Sequence, residues 1–418
     1  MNIKKILQQL KKNIGPGVIT GAADDDPSGI ATYSIAGSKF NFAFLWTALF
    51  TWPLMATIQM MCARIGIVTG RGLASALGEK FSRKFIFISS FILLAANTFN
   101  ISADLLAMSD AAEILSGINS HIWIVVFAVI ISAAIIHFQY SQIANFLKWL
   151  VLALFTYVIS AFFAHPDWSF IVKNTLLPSL PTSQEGWSLL VAILGTTISP
   201  YLFYWQTSAE VEEEESAGRD TVEKRLGATK AELFNRSIDV GIGTFFSNLV
   251  MFFIILTTAL TLHTQGITNL ETSSQVAKAL EPVAGSMTMI LYTSGLIGTG
   301  FLAIVTLAGS SAYALSDSFL RPFGLNKKWK QAKLFYMVIL FSTFGAVGLD
   351  FLNTNPIKML YWSAILNGVL APFLLIGILM IASDSKLMQG QPSSRLAQIV
   401  VGTTIILMFL AMIGMFVF

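Results

Sequence analysis

Apolar runs long enough to cross a bilayer as helices, about 20 residues each, recur along the whole chain. They fall at 14–39, 43–66, 85–113, 121–138, 146–165, 187–208, 238–262, 285–318, 334–350, 357–383 and 396–418. The pattern predicts an all-α polytopic membrane protein with eleven transmembrane helices. Two runs are interrupted near their middle. The first, GPGVITGAADDDPSGIATYSIAG, carries Asp24, Asp25 and Asp26 and then Pro27 and Gly29. The sixth, LLVAILGTTISPYLFYWQTS, carries Thr196, Thr197, Ser199 and Pro200. Proline lacks a backbone donor and drives the preceding residue out of helical geometry. Both spans should therefore break at mid-membrane and release carbonyl oxygens, which survive there only if they line a cavity or meet polar partners.

The breaks lie in spans 1 and 6, five spans apart, and five spans invert the direction of the chain. Spans 1–5 and 6–10 are thus expected to form inverted repeats, at about 14–165 and 187–383, with an extra helix at about 396–418, in one transmembrane transport domain covering 1–418. Paired broken helices at corresponding places in two halves point to a transporter's central substrate site. The two halves show no obvious similarity of side chains.

Charge distribution orients the helices. With the N-terminus in the cytoplasm and the C-terminus outside, all of the 26 Lys and Arg except Lys39, Lys173, Lys278 and Lys358 fall on cytoplasmic segments or helix ends, as the excess of basic residues in cytoplasmic loops requires. The expected location is the cell membrane. The N-terminal MNIKKILQQLKKN lacks the short apolar core and cleavage site of a signal peptide and reads as a retained cytoplasmic tail. Composition agrees: 55% of residues are hydrophobic and 12% charged, against roughly 45–50% and about 25% in soluble domains. A net charge of +3, scattered between apolar runs, offers no nucleic-acid surface. The single cysteine, Cys62, excludes an internal disulfide framework and a Cys-rich metal site. No nucleotide loop, metal-hydrolase motif or nucleophile triad is present, so an enzyme is not expected.

The chemistry concentrates at the two breaks. An ionised Asp at the bilayer centre costs about 2.5–3.5 kcal/mol even on the lenient insertion scale, and here three are consecutive. The basic residues nearest in depth, Arg64 and Lys148, lie towards cytoplasmic helix ends, so pairing with a buried base does not account for the acids. Asp26, with Asp25 or Asp24, is instead expected to face a cation pathway. Carboxylates, freed carbonyls, Ser28, Thr197 and Ser199 make an all-oxygen site, suited to magnesium, calcium or manganese. Glu210 and Glu212–Glu215 form either a cation-attracting inner vestibule or a solvated cytoplasmic charge run. Ser310, Ser311, Asn367 and Pro372 serve either the pathway or ordinary helix packing.

These residues resemble a known family. Gly15–Gly17, Asp26-Pro27 and Ile30–Tyr33 are similar to the first helix of the Nramp family of divalent metal transporters, ISPYLFYWQTS to its sixth, and Asn248 in FSNLVMFF to its seventh. The resemblance runs through about the first ten helices. It implies a leucine-transporter (LeuT)-like fold with alternating access, a divalent metal cation as cargo, the bilayer as surroundings, and neither a cofactor nor an obligate protein partner.

Departures from the family pattern carry information. The usual Asp-Pro-Gly-Asn reads Asp26-Pro27-Ser28-Gly29, and Met-Pro-His reads Ser199-Pro200-Tyr201. A second family His reads Gln206, and Asp-x-x-Glu on the third helix reads Asp104-x-x-Ala107, with Asp110 one turn on. Loss of the thioether removes discrimination against hard cations. Short Gly29 and Ser199 widen the cavity for magnesium, which keeps several waters. The pattern resembles the Nramp-related magnesium transporters. The metal-site set is then Asp26, Asp25, Ser28, Gly29, Thr197, Ser199 and Tyr201. With His121, His137, His165 and His263 all at helix ends, no His remains at mid-membrane to shuttle protons, and transport without proton coupling is expected. Competing readings are a proton-coupled manganese or iron transporter of the ordinary Nramp type, a sodium-coupled organic-solute symporter of the same fold, and a channel or non-transporting scaffold. Three adjacent acids would repel the carboxylate that many such symporters bind.

Overall fold

The computed structural model describes residues 15–138, 142, 154–281, 285–349 and 355–418. The N-terminal basic tail, Lys148 and the first part of the fifth predicted span lie outside the described residues. In chain order the principal helices are α1 (Pro16–Asp24), α2 (Pro27–Phe40), α3 (Leu45–Thr69), α4 (Arg83–Ser116), α5 (Ser120–His137) and α6 (Phe155–Phe163), then α7 (Gln184–Thr197), α8 (Pro200–Ser216), α9 (Lys230–Thr261), α10 (Thr288–Ser318), α11 (Lys333–Leu349), α12 (Pro356–Ala382) and α13 (Arg395–Val417). Every predicted span has a described helix, the fifth only from Phe155 onward. By length and composition, seven continuous helical stretches among the described residues can cross a membrane unaided, counting α7 with α8 as one. The broken first span does so only as the pair α1 and α2.

Local signals set the ends. The Ser82 hydroxyl accepts from the Phe85 N–H to open α4, and Gly117, at φ 70°, closes it in the left-handed region. Thr229 and Glu232 form a reciprocal capping box at the start of α9. Prolines act differently according to their flanks. Pro53 and Pro372 sit inside continuous α3 and α12. Pro27 and Pro200 instead begin new helices, because Asp26 and Ser199 before them are extended, with ψ 168° and 132°. Large apolar side chains such as Ile88, Phe341, Leu396 and Phe416 are exposed, as lipid-facing residues would be. Inside, α9 runs along both α1 and α2, and α4 packs against α10 and α12. The α1–α9 contact is backbone to backbone: a Cβ at Gly21 would lie 2.3 Å from the Gly243 carbonyl carbon. The two breaks therefore sit in the interior, between α4, α9 and α12.

Candidate cation site

At the first break α1 ends at Asp24, and Asp26 caps α2. The Asp26 Oδ1 accepts from the Gly29 N–H at 2.7 Å and from the Ser28 hydroxyl at 2.6 Å. The positive end of the α2 dipole and its free N–H groups suit a carboxylate at that position. A Cβ placed on Gly29 would stand 3.5 Å from Asp26 Oδ1 and 3.2 Å from the Tyr33 ring. Residue 29 thus faces the carboxylate, with the Tyr33 ring close against it. All three acids are buried, at 0, 4 and 2% exposure for Asp24, Asp25 and Asp26. None of them joins an ion pair among the described residues.

The acids divide between two neighbours, Asp24 and Asp25 on one and Asp26 on another. Ser247 on α9 approaches Asp24 Oδ2 at 2.7 Å and Asp25 Oδ1 at 3.3 Å. Asp26 faces α4, where the Asn100 amide lies 3.5 Å from its Oδ2. Asp25 is therefore brought beside Asp24 and Ser247, and its hydrogen-bond partner differs from those of Asp26.

At the second break the hydroxyls turn inward on their own helix. Ser199 Oγ lies 2.7 Å from the carbonyls of Gly195 and Thr196, and Thr197 donates to Ile193 at 2.9 Å. Thr196 bonds the Tyr33 hydroxyl at 3.0 Å, tying α7 to α2. Tyr201 donates to the Ala23 carbonyl at 3.0 Å, so one side chain of α8 satisfies a carbonyl freed by the break in helix 1. Gln206 meets Thr20 of α1 at 2.6 Å and donates to Glu210 at 2.6 Å.

Other sequence candidates take definite places. Asn248 pairs with Thr51 of α3 at 2.8 Å, away from the carboxylates. Ser310 and Ser311 accept from Asn97 at 3.1 and 2.9 Å, which is helix packing between α10 and α4. Asp110 accepts from the Ser273 N–H at 3.3 Å, and His263 bonds the Ser38 carbonyl at the end of α2. The acidic run after the sixth span is only partly solvated: Glu213 is exposed, whereas Glu210, Glu212 and Glu214 are buried. Glu212 is buried, takes the Leu325 and Asn326 N–H groups at 2.8 and 3.2 Å, and bonds the Tyr313 hydroxyl. Glu210 and Glu213 pair with Arg236, Glu214 with Arg219, and Glu215 with Arg225 and Lys327. The cations come from α9, through Arg236, and from the connections that follow α8 and α10, through Arg219, Arg225 and Lys327. A cavity of about 240 Å³ remains beside them, lined by Gly15, Glu213, Glu214, Arg219 and Arg236 among others.

Asn100 and Ser247 were not anticipated from the sequence. Asn97, Asn100 and Asp104 recur at helical spacing in an otherwise apolar span and mark one polar face of α4; Ser247 had no comparable signal. Among the described residues no three His, Cys, Asp or Glu side chains converge as a ready-made ligand set. A cation held here must use carboxylate, carbonyl, hydroxyl and water oxygens together.

A family model described as Natural resistance-associated macrophage protein-like, Nramp, matches residues 17–418. The chain belongs to the Nramp family. This Nramp chain is 27% identical over 420 residues to the protein named divalent metal cation transporter MntH of Caldanaerobacter subterraneus subsp. tengcongensis, covering 96% of this chain and 92% of the relative. It is 23% identical to the MntH of Yersinia enterocolitica over 419 residues, 96% of this chain and 93% of that one. Among solved structures, the Eremococcus coleocola manganese transporter superposes with a TM-score of 0.78 at 16% identity, covering 97% of this chain and 86% of that one. Mhp1, a nucleobase-cation-symport-1 family transporter in a closed conformation, superposes at 0.59 with 15% identity, over 96 and 90% of the two chains. The Nramp chain has the all-helical, LeuT-like fold of these transporters, and among the described residues its first and sixth spans are the ones broken at a proline.

Proposed function

We propose that this Nramp protein carries a divalent metal cation across the cell membrane by alternating access, with Asp26 as its principal ligand. One observation carries the reading: a buried carboxylate at the break of helix 1 that has no cationic side chain paired with it among the described residues. An anion so placed calls for a mobile counter-cation or a proton. The relatives named divalent metal cation transporter support the class of cargo. Asp25 adds charge, and the oxygens of Ser28, Gly29, Thr197, Ser199 and Tyr201 complete the surroundings of the ion. Among the described residues the groups hydrogen-bonded to Asp26 present only hydroxyl and amide functions, and Gly29 brings no side-chain ligand, which favours an ion that keeps part of its water. Magnesium is the preferred cargo and manganese a competitor, moved without proton coupling. One transport domain spans 1–418, its repeats at about 14–165 and 187–383 and its extra helix at about 396–418, with the N-terminus cytoplasmic and the C-terminus outside.

Asp26→Ala tests this in proteoliposomes. The variant is expected to fold and insert while losing magnesium and manganese uptake. Uptake at the wild-type rate by well-folded Asp26→Ala protein would remove the basis of the reading.

A second reading, manganese as the main cargo, is favoured by Met108. Its thioether and the Pro27 ring meet over Gly300, where an added Cβ would lie 2.5 Å from the sulfur and 3.1 Å from the ring. A soft sulfur beside the break would help transition metals. Loss of cadmium and manganese uptake but not of magnesium uptake in Met108→Leu would support it.

A further inference from the structure

Asp104 lies on α4 and is fully buried. One of its oxygens, Oδ1, has no hydrogen-bond partner among the described residues, and no ion pair among them includes Asp104. Its other oxygen accepts from the Asn100 amide at 3.1 Å, and the same nitrogen stands 3.5 Å from Asp26 Oδ2. A primary amide has two N–H groups, so one Asn can face two carboxylates at once. The arrangement is braced from a third helix: Asn367 of α12 donates to Asn100 Oδ1 at 3.1 Å, leaving the Asn100 nitrogen turned towards the acids. Two carboxylates from different helices thus stand within two hydrogen-bond lengths of each other across one nitrogen.

A divalent ion in a low-dielectric interior is poorly neutralised by one carboxylate, since unit charges interact far more strongly there than in water. Asp24 and Asp25 bond Ser247 of α9, and although Asp24 also keeps one unpartnered oxygen among the described residues, neither shares a donor with Asp26. Asp104 is the carboxylate that shares a donor with Asp26 and has an unpartnered oxygen to offer. We propose that Asp104 is the second carboxylate of the cation site, reaching the ion through its retained water, with Asn100, braced by Asn367, as the positioning residue that fixes the spacing of the two acids. This rests on the reading of the chain as a divalent cation carrier, and it names what sets the preference for divalent over monovalent ions. With Asp26 and Asp104 both at the ion, two negative charges face it, and Asp25, bonded to Ser247, adds a more distant one. With one of the two, the site suits a monovalent ion as well.

The test uses the full-length protein in liposomes, with magnesium and manganese uptake measured over a range of concentrations and in the presence of excess sodium. Asp104→Asn is expected to raise KM for both metals by about tenfold or more, to keep Vmax within about twofold, and to make uptake sensitive to sodium that leaves the wild type unaffected. Asp104→Glu should recover most of the affinity. Asn100→Ser, which keeps both acids and removes the shared amide, should raise KM as well. Unchanged KM and sodium sensitivity in Asp104→Asn, or a fall in Vmax alone, would overturn the proposal. If Asp104→Asn does not fold, unchanged KM in Asn100→Ser overturns it. A wild-type protein that takes up neither metal would instead take down the underlying reading.

Discussion

Asp239 on α9 accepts the Gly17 N–H at the first turn of α1 at 2.7 Å, joining residues 222 positions apart. The same carboxylate takes the Gly15 and Val18 N–H groups at 2.8 and 3.3 Å and pairs with Arg236, which also reaches Glu210 and Glu213 of α8. One cluster thus fastens the N-terminal end of helix 1 to the C-terminal half of helix 6. Asp239→Ala should free the first turn of α1 and leave Arg236 with less neutralising charge, at a cost of about 1–3 kcal/mol for the lost acceptor. Hydrogen exchange of the amides at 15–18 should accelerate, and the melting temperature in detergent should fall. Wild-type exchange at these amides would show that the cluster does not hold α1.

Selectivity should follow ligand hardness and cavity size. Gly29→Asn with Ser199→Met places a longer ligand at each break, narrows the space beside Asp26, and should shift preference towards manganese and cadmium at the expense of magnesium. The new Cβ at 29 needs the Tyr33 ring, 3.2 Å away, to yield a few tenths of an ångström, and Met at 199 removes the hydroxyl that Gly195 and Thr196 share. Some loss of total rate is therefore expected together with the shift. The sharper outcome concerns the wild type: uptake of manganese or cadmium with no magnesium uptake even at millimolar concentration would replace the magnesium reading with the ordinary manganese one.

Metal-driven uptake should not acidify the liposome interior. Tyr201 and Gln206 stand where the family carries His, and both are committed, Tyr201 to the Ala23 carbonyl and Gln206 between Thr20 and Glu210. Neither offers a group that titrates near neutral pH. A pH-sensitive dye trapped in the liposomes checks this. Acidification proportional to metal concentration, absent from protein-free liposomes, would establish coupling.

Outside the membrane, Lys80 stands 2.8 Å from Asp384 and joins the loop after α3 to the end of α12. The lysine, with the Leu387 and Lys386 N–H groups, lowers the Asp384 carboxyl to about 2. A carboxyl lowered in the folded state contributes stability above its unfolded value, near 3.8, and loses that contribution as pH falls through about 2. Asp384→Asn should therefore melt slightly below the wild type at neutral pH, and the difference should close in that acid window. A difference that persists at the lowest pH would assign the effect to packing. The contribution is small, because the pair is partly exposed and screened.

The sequence by itself determined the spans, each with a described helix, the two breaks and the carboxylates at the first of them. Each is a local property: about 20 apolar residues fit one bilayer, proline lacks its donor wherever it stands, and Asp26 directly before Pro27 is an N-cap in the chain's own order. Only the tertiary structure decided which way each acid faces. Consecutive residues at a break have no helical period to assign them a side, so only the packing of α9 and α4 against helix 1 decided that Asp24 and Asp25 meet Ser247 while Asp26 meets Asn100. The same holds for Glu212–Glu215, which a linear reading leaves in solvent. Their partners, Arg219, Arg225, Arg236, Lys327 and the Leu325 and Asn326 amides, come from later segments, and the rotation of packed helices that brings them together is fixed by contacts distant in the chain.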